Sequence, residues 1–455
     1  MLNLVYLIFA FIPARAENIC SAARDRPGVA RLSTVDEQLK CVLSNIDPGY
    51  IIDLTRRLVA TRSVYDPAVP GATEEAAARL VAAELSALGL AVHVEEVAPG
   101  RPNVIADWQG SAPGPTLLFE GHTDVVTEGN PARWTYPPFS AELVDGRIYG
   151  RGSADMKSGI AAAVGAVRAL ARSGLPYRGR IRLAVLVDEE DLMLGVKHFI
   201  RSGWAKGVDG AIVCEPEQNE VCLIQKGAMR VRVEFTGVMA HGAMPQAGVN
   251  PIPWAAEFIQ ALGRLEARLV QEHGENVHLG RPSLTPTIVQ APAEGPPQLN
   301  VIPAAARVFV DVRTIPGVDH RRLEADMRAI LSAMSERDPR VRAELEVFED
   351  RPWTETPPDT PIAQAVAEAC RRAAGREPVY GGVPGATDGT FLSAWAGIPI
   401  VTLGPGDRYI PHQVDEYVEV DQVIEAARIY AASAVLFSAR HPESRALGRG
   451  AEQAG

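Results

Sequence analysis

Arg180-Ile-Arg-Leu-Ala-Val-Leu-Val-Asp-Glu-Glu190 carries a short, mainly apolar run straight into a run of acids that Asp191 extends to four. A run of that length bounded by polar residues reads as a central strand buried on both faces. Its end then lies at the mouth of a sheet. Glu189 and Glu190 repel each other there unless a cation holds them, because like charges a few ångströms apart push one pKa strongly upward. One carboxylate bound to a metal and the other free to move a proton resolves the conflict.

Outward from this strand, residues 48–238 alternate helical and strand patterns, which reads as an α/β layer on a mixed, largely parallel sheet flanked by helices. Ile51, Leu54 and Leu58, then Leu80, Val81, Leu85 and Leu88, and the Ala-rich Ile160 to Leu170 follow helical spacing. Thr116 to Phe119 and Gly210 to Cys214 are further short apolar runs suited to central strands. From Gly227 the texture changes. Arg230 to Thr236, Arg307 to Arg313 and Arg342 to Phe348 alternate polar and apolar residues, with helical stretches at Pro253 to Val270 and Leu323 to Met334 between them. This predicts an inserted α+β domain with antiparallel strands. Pro352 to Pro361 marks a return to the first layer, with a helix at Ile362 to Ala374, a strand at Ile398 to Leu403 and a last helix at Val423 to Phe437. The expected division is a discontinuous catalytic domain over 47–226 and 352–440, an insert over 227–351, an N-terminal extension over 1–46 and a tail over 441–455.

A chain of 455 residues, 47% hydrophobic, can bury the cores of two or three domains of ~150 residues each. Its formal charge of −11 argues against nucleic acid or an anionic membrane surface as a partner. The apolar stretch Leu2 to Pro13 is shorter than the ~20 residues that cross a bilayer. Ala14-Arg-Ala16 after it has the form of a signal-peptide cleavage site, which would imply secretion. The stretch lacks a basic residue before it, so the expected location is the cytoplasm. Cys20, Cys41, Cys214, Cys222 and Cys370 show neither a disulfide-framework nor a zinc spacing and are expected as reduced thiols.

The remaining candidate ligands sit where strands should end. His122-Thr-Asp124 follows the strand at Thr116, and an aspartate beside a ligating histidine fixes its tautomer and raises its basicity. Gly150-Arg-Gly-Ser-Ala-Asp155 invites a phosphate-loop reading, but the third glycine of a dinucleotide loop and the GK[ST] of a P-loop are both absent. The glycines instead shape a turn that aims Asp155. Glu215 ends the strand before Pro216, and His412 follows a Gly/Pro-rich loop. His122, Asp155, Glu190, Glu215 and His412 together form the imidazole-plus-carboxylate mix that suits zinc or manganese. Two such ions about 3.5–4 Å apart activate water and polarise a carbonyl.

HTD at 122–124, GRGSADMKSG at 150–159, DEE at 188–190, CEP at 214–216, AHGAMPQAGVNPI at 240–252, LNVIPAAARVFVDVR at 299–313, GATDG at 385–389 and HQVDE at 412–416 occur in one order. In that order the chain resembles the metal-dependent amidohydrolases and exopeptidases typified by acetylornithine deacetylase, succinyl-diaminopimelate desuccinylase, aminoacylase and glutamate carboxypeptidase. The resemblance covers residues 48–437 and implies a zinc-exopeptidase-like catalytic domain with a dimerisation and lid insert. It implies two zinc ions, or cobalt or manganese, with Asp155 bridging, His122 and Glu215 on one ion, and Glu190 and His412 on the other. Glu189 becomes the general base and Asp124 the support of His122. His241 would reach across a homodimer interface to the oxyanion. Asn300 and Arg313 would bind substrate, an N-acyl amino acid or small peptide with a free carboxylate. Apart from the resemblance, Gly404 follows the strand ending at Leu403 and is expected to line the pocket and meet substrate through its backbone N–H. A cis peptide is expected at Asp155–Met156. Two departures stand out. Asp191-Leu-Met-Leu194 replaces the usual glycines before Gly195, and Thr387-Asp-Gly-Thr390 lacks the arginine expected where a succinyl carboxylate is held. Deacetylase-like chemistry is therefore expected over desuccinylation. A dipeptidase or carboxypeptidase, or a silent amino acid or peptide binder, are the alternatives.

Overall fold

The computed structural model describes residues 34–440. A nine-stranded mixed sheet forms its centre, and four neighbouring strands, Arg178–Leu186, Ala112–His122, Gly210–Val213 and Ile400–Thr402, run parallel. The hairpin Ala91–Ala98 and Arg101–Gln109 adds antiparallel to one side, and Val221–Gln225 with Thr354–Glu355 and Tyr380–Val383 closes the other. Period-two burial explains the layering. Leu117, Phe119, Ile181, Leu183, Val185 and Ile212 face the helices Pro48–Ala60, Ser158–Ser173, Pro361–Ala369 and Val420–Arg440. Leu118, Ala184, Leu186, Ala211 and Val213 face Leu194–Arg201 and Gly389–Ala394 on the opposite side. Both faces are covered, so the free groups of the parallel strands gather at their C-terminal ends, where open α/β sheets place ligands.

A second sheet, in the order Ser283–Gln290, Ala305–Thr314, Gly227–Thr236 and Ala343–Arg351, is wholly antiparallel. Its alternating strands bury Val231, Val233, Phe235, Val308, Val310 and Val312 against the helices Ile252–His273 and His320–Arg337, forming a separate core.

Two expectations need correction. Within the segment expected as an N-terminal extension, Val35–Leu43 is a helix capped by Thr34 and Glu37, and Leu39, Cys41 and Val42 are buried in the main core. Nine residues are too few to display a helical period, so periodicity alone does not reveal this element. Cys41 is disulfide-bonded, whereas Cys214, Cys222 and Cys370 are free and buried. One such bridge leaves no spacing signature in the sequence. Cys20 lies outside the described residues. The candidate signal segment Leu2 to Ala16 and the tail 441–455 also lie outside the described residues. Among the described residues no helix is long and apolar enough to cross a membrane.

Candidate metal centre

The five expected ligands meet at the C-terminal mouth of the parallel strands. His122 is fully buried, and its Nε2 lies 3.2 Å from Asp155 Oδ1 and 3.4 Å from Glu215 Oε1. His412 Nε2 lies 3.3 Å from Asp155 Oδ2 and 3.1 Å from Glu190 Oε1. The two oxygens of Asp155 thus face two different imidazoles. A tetrahedral zinc with ligand bonds of about 2.0–2.2 Å separates its donor atoms by roughly 3.3–3.6 Å. The donors fit two divalent ions sharing Asp155, in the charge and hardness of the ligand set as well as in spacing. The peptide Asp155–Met156 is cis, as expected.

Charge supports the same assignment. Without cations, burial pushes the Glu215 carboxyl up to about 7, and the neighbouring Asp155 and Glu190 carboxylates add to the rise. Burial also opposes ionisation of Asp155, but hydrogen bonds from His122 and His412 outweigh it and hold that carboxyl below its ordinary range. Hydrogen bonds to Asp155 and Glu190 raise His412 to about 10.

Glu189 is buried with its Oε2 3.9 Å from His122 Nε2, beyond the spacing of the other donors. It groups with His122 and Glu215 but not with His412. Burial, then the Glu215 charge, pushes its carboxyl well above the ordinary range. Asp124 accepts the Glu190 backbone N–H at 3.0 Å; its carbonyl takes His122 Nδ1 at 3.0 Å, and its carboxylate Oδ1 lies 3.6 Å from the same ring nitrogen.

The turn carrying Glu189 and Glu190 is held from behind. Asp188 Oδ1 pairs with Arg101 at 2.6 Å, and Arg101 also pairs with Glu74 at 2.5 Å and stacks on Tyr65 at 3.6 Å. All three charged groups are buried. Asp188 Oδ2 accepts the N–H groups of Leu192 and Leu194, so the carboxylate shapes the turn that replaces the expected glycines. Lys197 and Arg351 then tie Leu192 and Asp191 to Glu349 at the end of the second sheet. Arg101→Met leaves two buried carboxylates without their cation, and we expect it to destabilise the protein by about 3–5 kcal/mol, measured by urea denaturation. A loss below about 1 kcal/mol would show the triad to be solvated like a surface pair.

The substrate-binding candidates are placed less uniformly. His241 is exposed on Ala240–His241, which pairs with Val301–Ile302; Asn300 directly precedes that partner segment and its carbonyl accepts Gly242 N at 2.7 Å, while His241 Nδ1 accepts Ala243 N at 3.0 Å within its own turn. Arg313 directs both arms of its guanidinium to Asp311, at 2.7 and 3.2 Å. Gly404 packs so closely on the Glu215 strand that a Cβ would lie 2.4 Å from the Cys214 carbonyl oxygen, and its own carbonyl accepts from Glu217 and Asn219. Thr390 is buried between Gln225 and the Pro352 carbonyl, away from solvent.

Three further groups escaped the sequence reading. Glu120 and Asp388 form a buried acid pair behind the ligands. As carboxylates, Glu120 Oε1 and both Asp388 oxygens lack a donor, but as a shared acid one hydrogen-bonds the other, and burial raises Asp388 to about 8. The GATDG motif contained Asp388, yet its role depends on a distant strand. Lys226, at the junction of the two sheets, is lowered by burial and by the nearby charge of Arg313. Its Nζ donates to the Arg281 carbonyl at 3.0 Å.

Comparison with known proteins follows this geometry. The sequence pattern of peptidase family M20/M25/M40 matches residues 118–435. A succinyl-diaminopimelate desuccinylase of Paracoccus denitrificans is 33% identical over 390 residues, covering 83% of this chain and 95% of the relative. An acetylornithine deacetylase of Vibrio cholerae serotype O1 is 32% identical over 348 residues, covering 76% and 87%. Among solved structures, an M20 family metallo-carboxypeptidase of Sulfolobus solfataricus superposes with a TM-score of 0.71 at 19% identity, covering 86% of this chain and 99% of that one. A dinuclear metal-binding M20 peptidase of Bacillus subtilis superposes with a TM-score of 0.65 at 18% identity, covering 86% and 98%.

Proposed function

The chain belongs to peptidase family M20/M25/M40, and on that premise we propose that it is a di-zinc hydrolase cleaving an amide bond of an N-acyl amino acid or small peptide bearing a free carboxylate. The observation that carries this reading is the pair of Asp155 oxygens, each facing its own imidazole–glutamate set. Bound there, the two divalent ions supply Lewis acidity that acidifies water and polarises the scissile carbonyl. His122, Asp155 and Glu215 would hold one, and Asp155, Glu190 and His412 the other. Glu189 takes the proton from the attacking water and delivers it to the departing amine. Its buried setting suits that task, because a raised carboxyl pKa lies closer to that of the groups it exchanges protons with.

The insert supplies a lid and a dimer surface. Val238, Met239, Met244 and Leu299 are exposed around His241, and Ile288 and Val289 are exposed on the edge strand Ser283–Gln290. Exposed apolar side chains beside an open strand edge suit pairing with a second copy. In that dimer His241 completes the partner's site by hydrogen-bonding the developing oxyanion, with Asn300 beside it. Arg313, once released from Asp311, and Lys226 offer cations to the substrate carboxylate. Thr390 offers none, which favours a deacetylase-like or dipeptidase-like substrate over a succinylated one.

The test is hydrolysis of N-acetylornithine, N-succinyl-diaminopimelate, N-acetylmethionine and a glutamate-terminated amide by the zinc-loaded dimer. Turnover of an acetylated or peptide substrate above the succinylated one is expected. Mixing His241→Ala with Glu189→Gln chains should recover activity that neither variant has alone. Verified mixed dimers without any recovery would remove the trans role of His241.

A further inference from the structure

Glu416 ends the HQVDE motif four residues after His412, and nothing in the ligand set requires it. It is fully buried. Its Oε1 accepts the backbone N–H groups of Ala154 at 3.0 Å and Asp155 at 3.1 Å. Its Oε2 takes Arg151 Nη1 at 2.5 Å, and its carbonyl accepts Gly150 N at 2.8 Å. Arg151 in turn donates to the Thr127 carbonyl and lies over Trp134. Next to Glu416, Asp415 accepts both the N–H and the hydroxyl of Thr135, and Tyr417–Glu419 pairs with Arg147–Tyr149.

We infer that Glu416 is a positioning residue that holds the Asp155 turn and the His412 loop as one unit, so that the bridging carboxylate and the second imidazole meet at a fixed separation. The inference rests on the two-metal reading of the site. Glu416 touches no ligand side chain. It grips the backbone on which Asp155 is mounted, through two N–H groups pointing at one carboxylate oxygen, and its own backbone leads within four residues to His412. Asp155 sits in the irregular turn Ser153–Lys157 that leads into helix Ser158–Ser173, and His412 sits on a loop; beyond the Glu416 contacts, the short pairing of Tyr417–Glu419 with Arg147–Tyr149 ties the two segments. Outer groups of this kind typically change metal affinity or activity by about 10–100-fold when removed. The effect should fall mainly on the ion that Asp155 shares with Glu190 and His412, since only that set spans the two segments. The His122 and Glu215 side stands on strand ends and should be spared.

The test is titration of the metal-free protein with Co2+, following stoichiometry, affinity and visible absorption, for wild type, Glu416→Gln and Glu416→Ala. Gln keeps an oxygen for the two N–H groups but sets an amide against Arg151, so it should fall between wild type and Ala. The expected result is two equivalents in wild type, with one of them weakened about tenfold in Gln and more in Ala, and with a changed absorption spectrum for that equivalent alone. If Ala does not fold, the Gln variant decides. Folded variants that match wild type in both affinities and in spectrum overturn the role of Glu416 and leave the two-metal reading intact. Wild type taking up a single equivalent overturns the two-ion reading, and Glu416 then stands or falls by the variants' affinity for that ion. A wild type that binds no Co2+ removes both.

Discussion

Replacing Glu189 with Gln lowers kcat by roughly 10²–10⁴-fold while both metal ions remain bound, the range expected when a general base is removed from an otherwise intact site. Gln is nearly isosteric with Glu, so the buried packing around position 189 survives. What is lost is the ability to accept a proton from water and return it to the leaving amine. KM should change little, because Glu189 acts on the water rather than on the substrate carboxylate. Metal analysis alongside kinetics separates the two tasks open to this residue. Glu189 stands with His122 and Glu215 in a group able to hold a cation. If Glu189→Gln loses a metal equivalent together with activity, it is a ligand and the base lies elsewhere. Turnover within tenfold of wild type in the fully loaded variant would end the assignment outright.

The contrast between Glu189 and Glu190 shows how far the residues could be read before the fold was known. Their adjacency after an apolar run pointed to a cation site and a strand end; the strand Arg178–Leu186 does end beside His122, and Glu189 and Glu190 each group there with residues able to hold a metal ion. Local patterns of this kind are legible because strand burial has period two and ligand chemistry restricts residue type. The division of the sheet into two covered faces follows from the same alternation, with Leu117 on one side and Leu118 on the other. Arg101, Glu120, Asp388 and Glu416 were opaque for the opposite reason. Each acts through a partner far away in the chain, and a buried arginine or glutamate has the same sequence appearance as a surface one. The helix Val35–Leu43 was opaque because its apolar positions are too few to form a period, although Thr34 and Glu37 make a capping box that a search for caps would have found. Asp191 to Leu194 was recognised as a departure from glycine. Its consequence, a turn shaped by Asp188 and tied through Lys197 and Arg351 to the second sheet, needed coordinates.

Stripping the metal with a chelator should abolish turnover and also lower stability in a way that grows with pH. At free metal about 1,000-fold above its dissociation constant, a single bound ion stabilises the fold by about 4 kcal/mol, so its removal should be plain in a thermal melt. The pH dependence follows from the acids left behind. In the stripped protein burial raises Glu215 from 4.5 to about 7 and Asp388 from 3.8 to about 8. The folded chain therefore keeps protons that the unfolded chain releases, and stability falls as pH rises through that window. His412, raised from 6.5 to about 10, contributes with the same sign above its ordinary value. Asp155 is shifted downward, so it stays ionised throughout this range and adds no opposing slope there. Bound cations would take the place of the protons on the ligands Glu215 and His412 and remove their part of the slope, while Asp388, which is no ligand, contributes to both forms. The difference in melting temperature between loaded and stripped protein should accordingly widen from about pH 5.5 to about pH 8. Titrations common to both forms cancel in that difference, which isolates the cluster. Asp155→Asn should reproduce the stripped enzyme's inactivity even in excess zinc, since an amide cannot bridge two cations as a carboxylate does. A gap that stays constant or narrows with rising pH, or an Asp155→Asn variant that holds two ions and turns over, would mean that the carboxylates are not the metal's ligands.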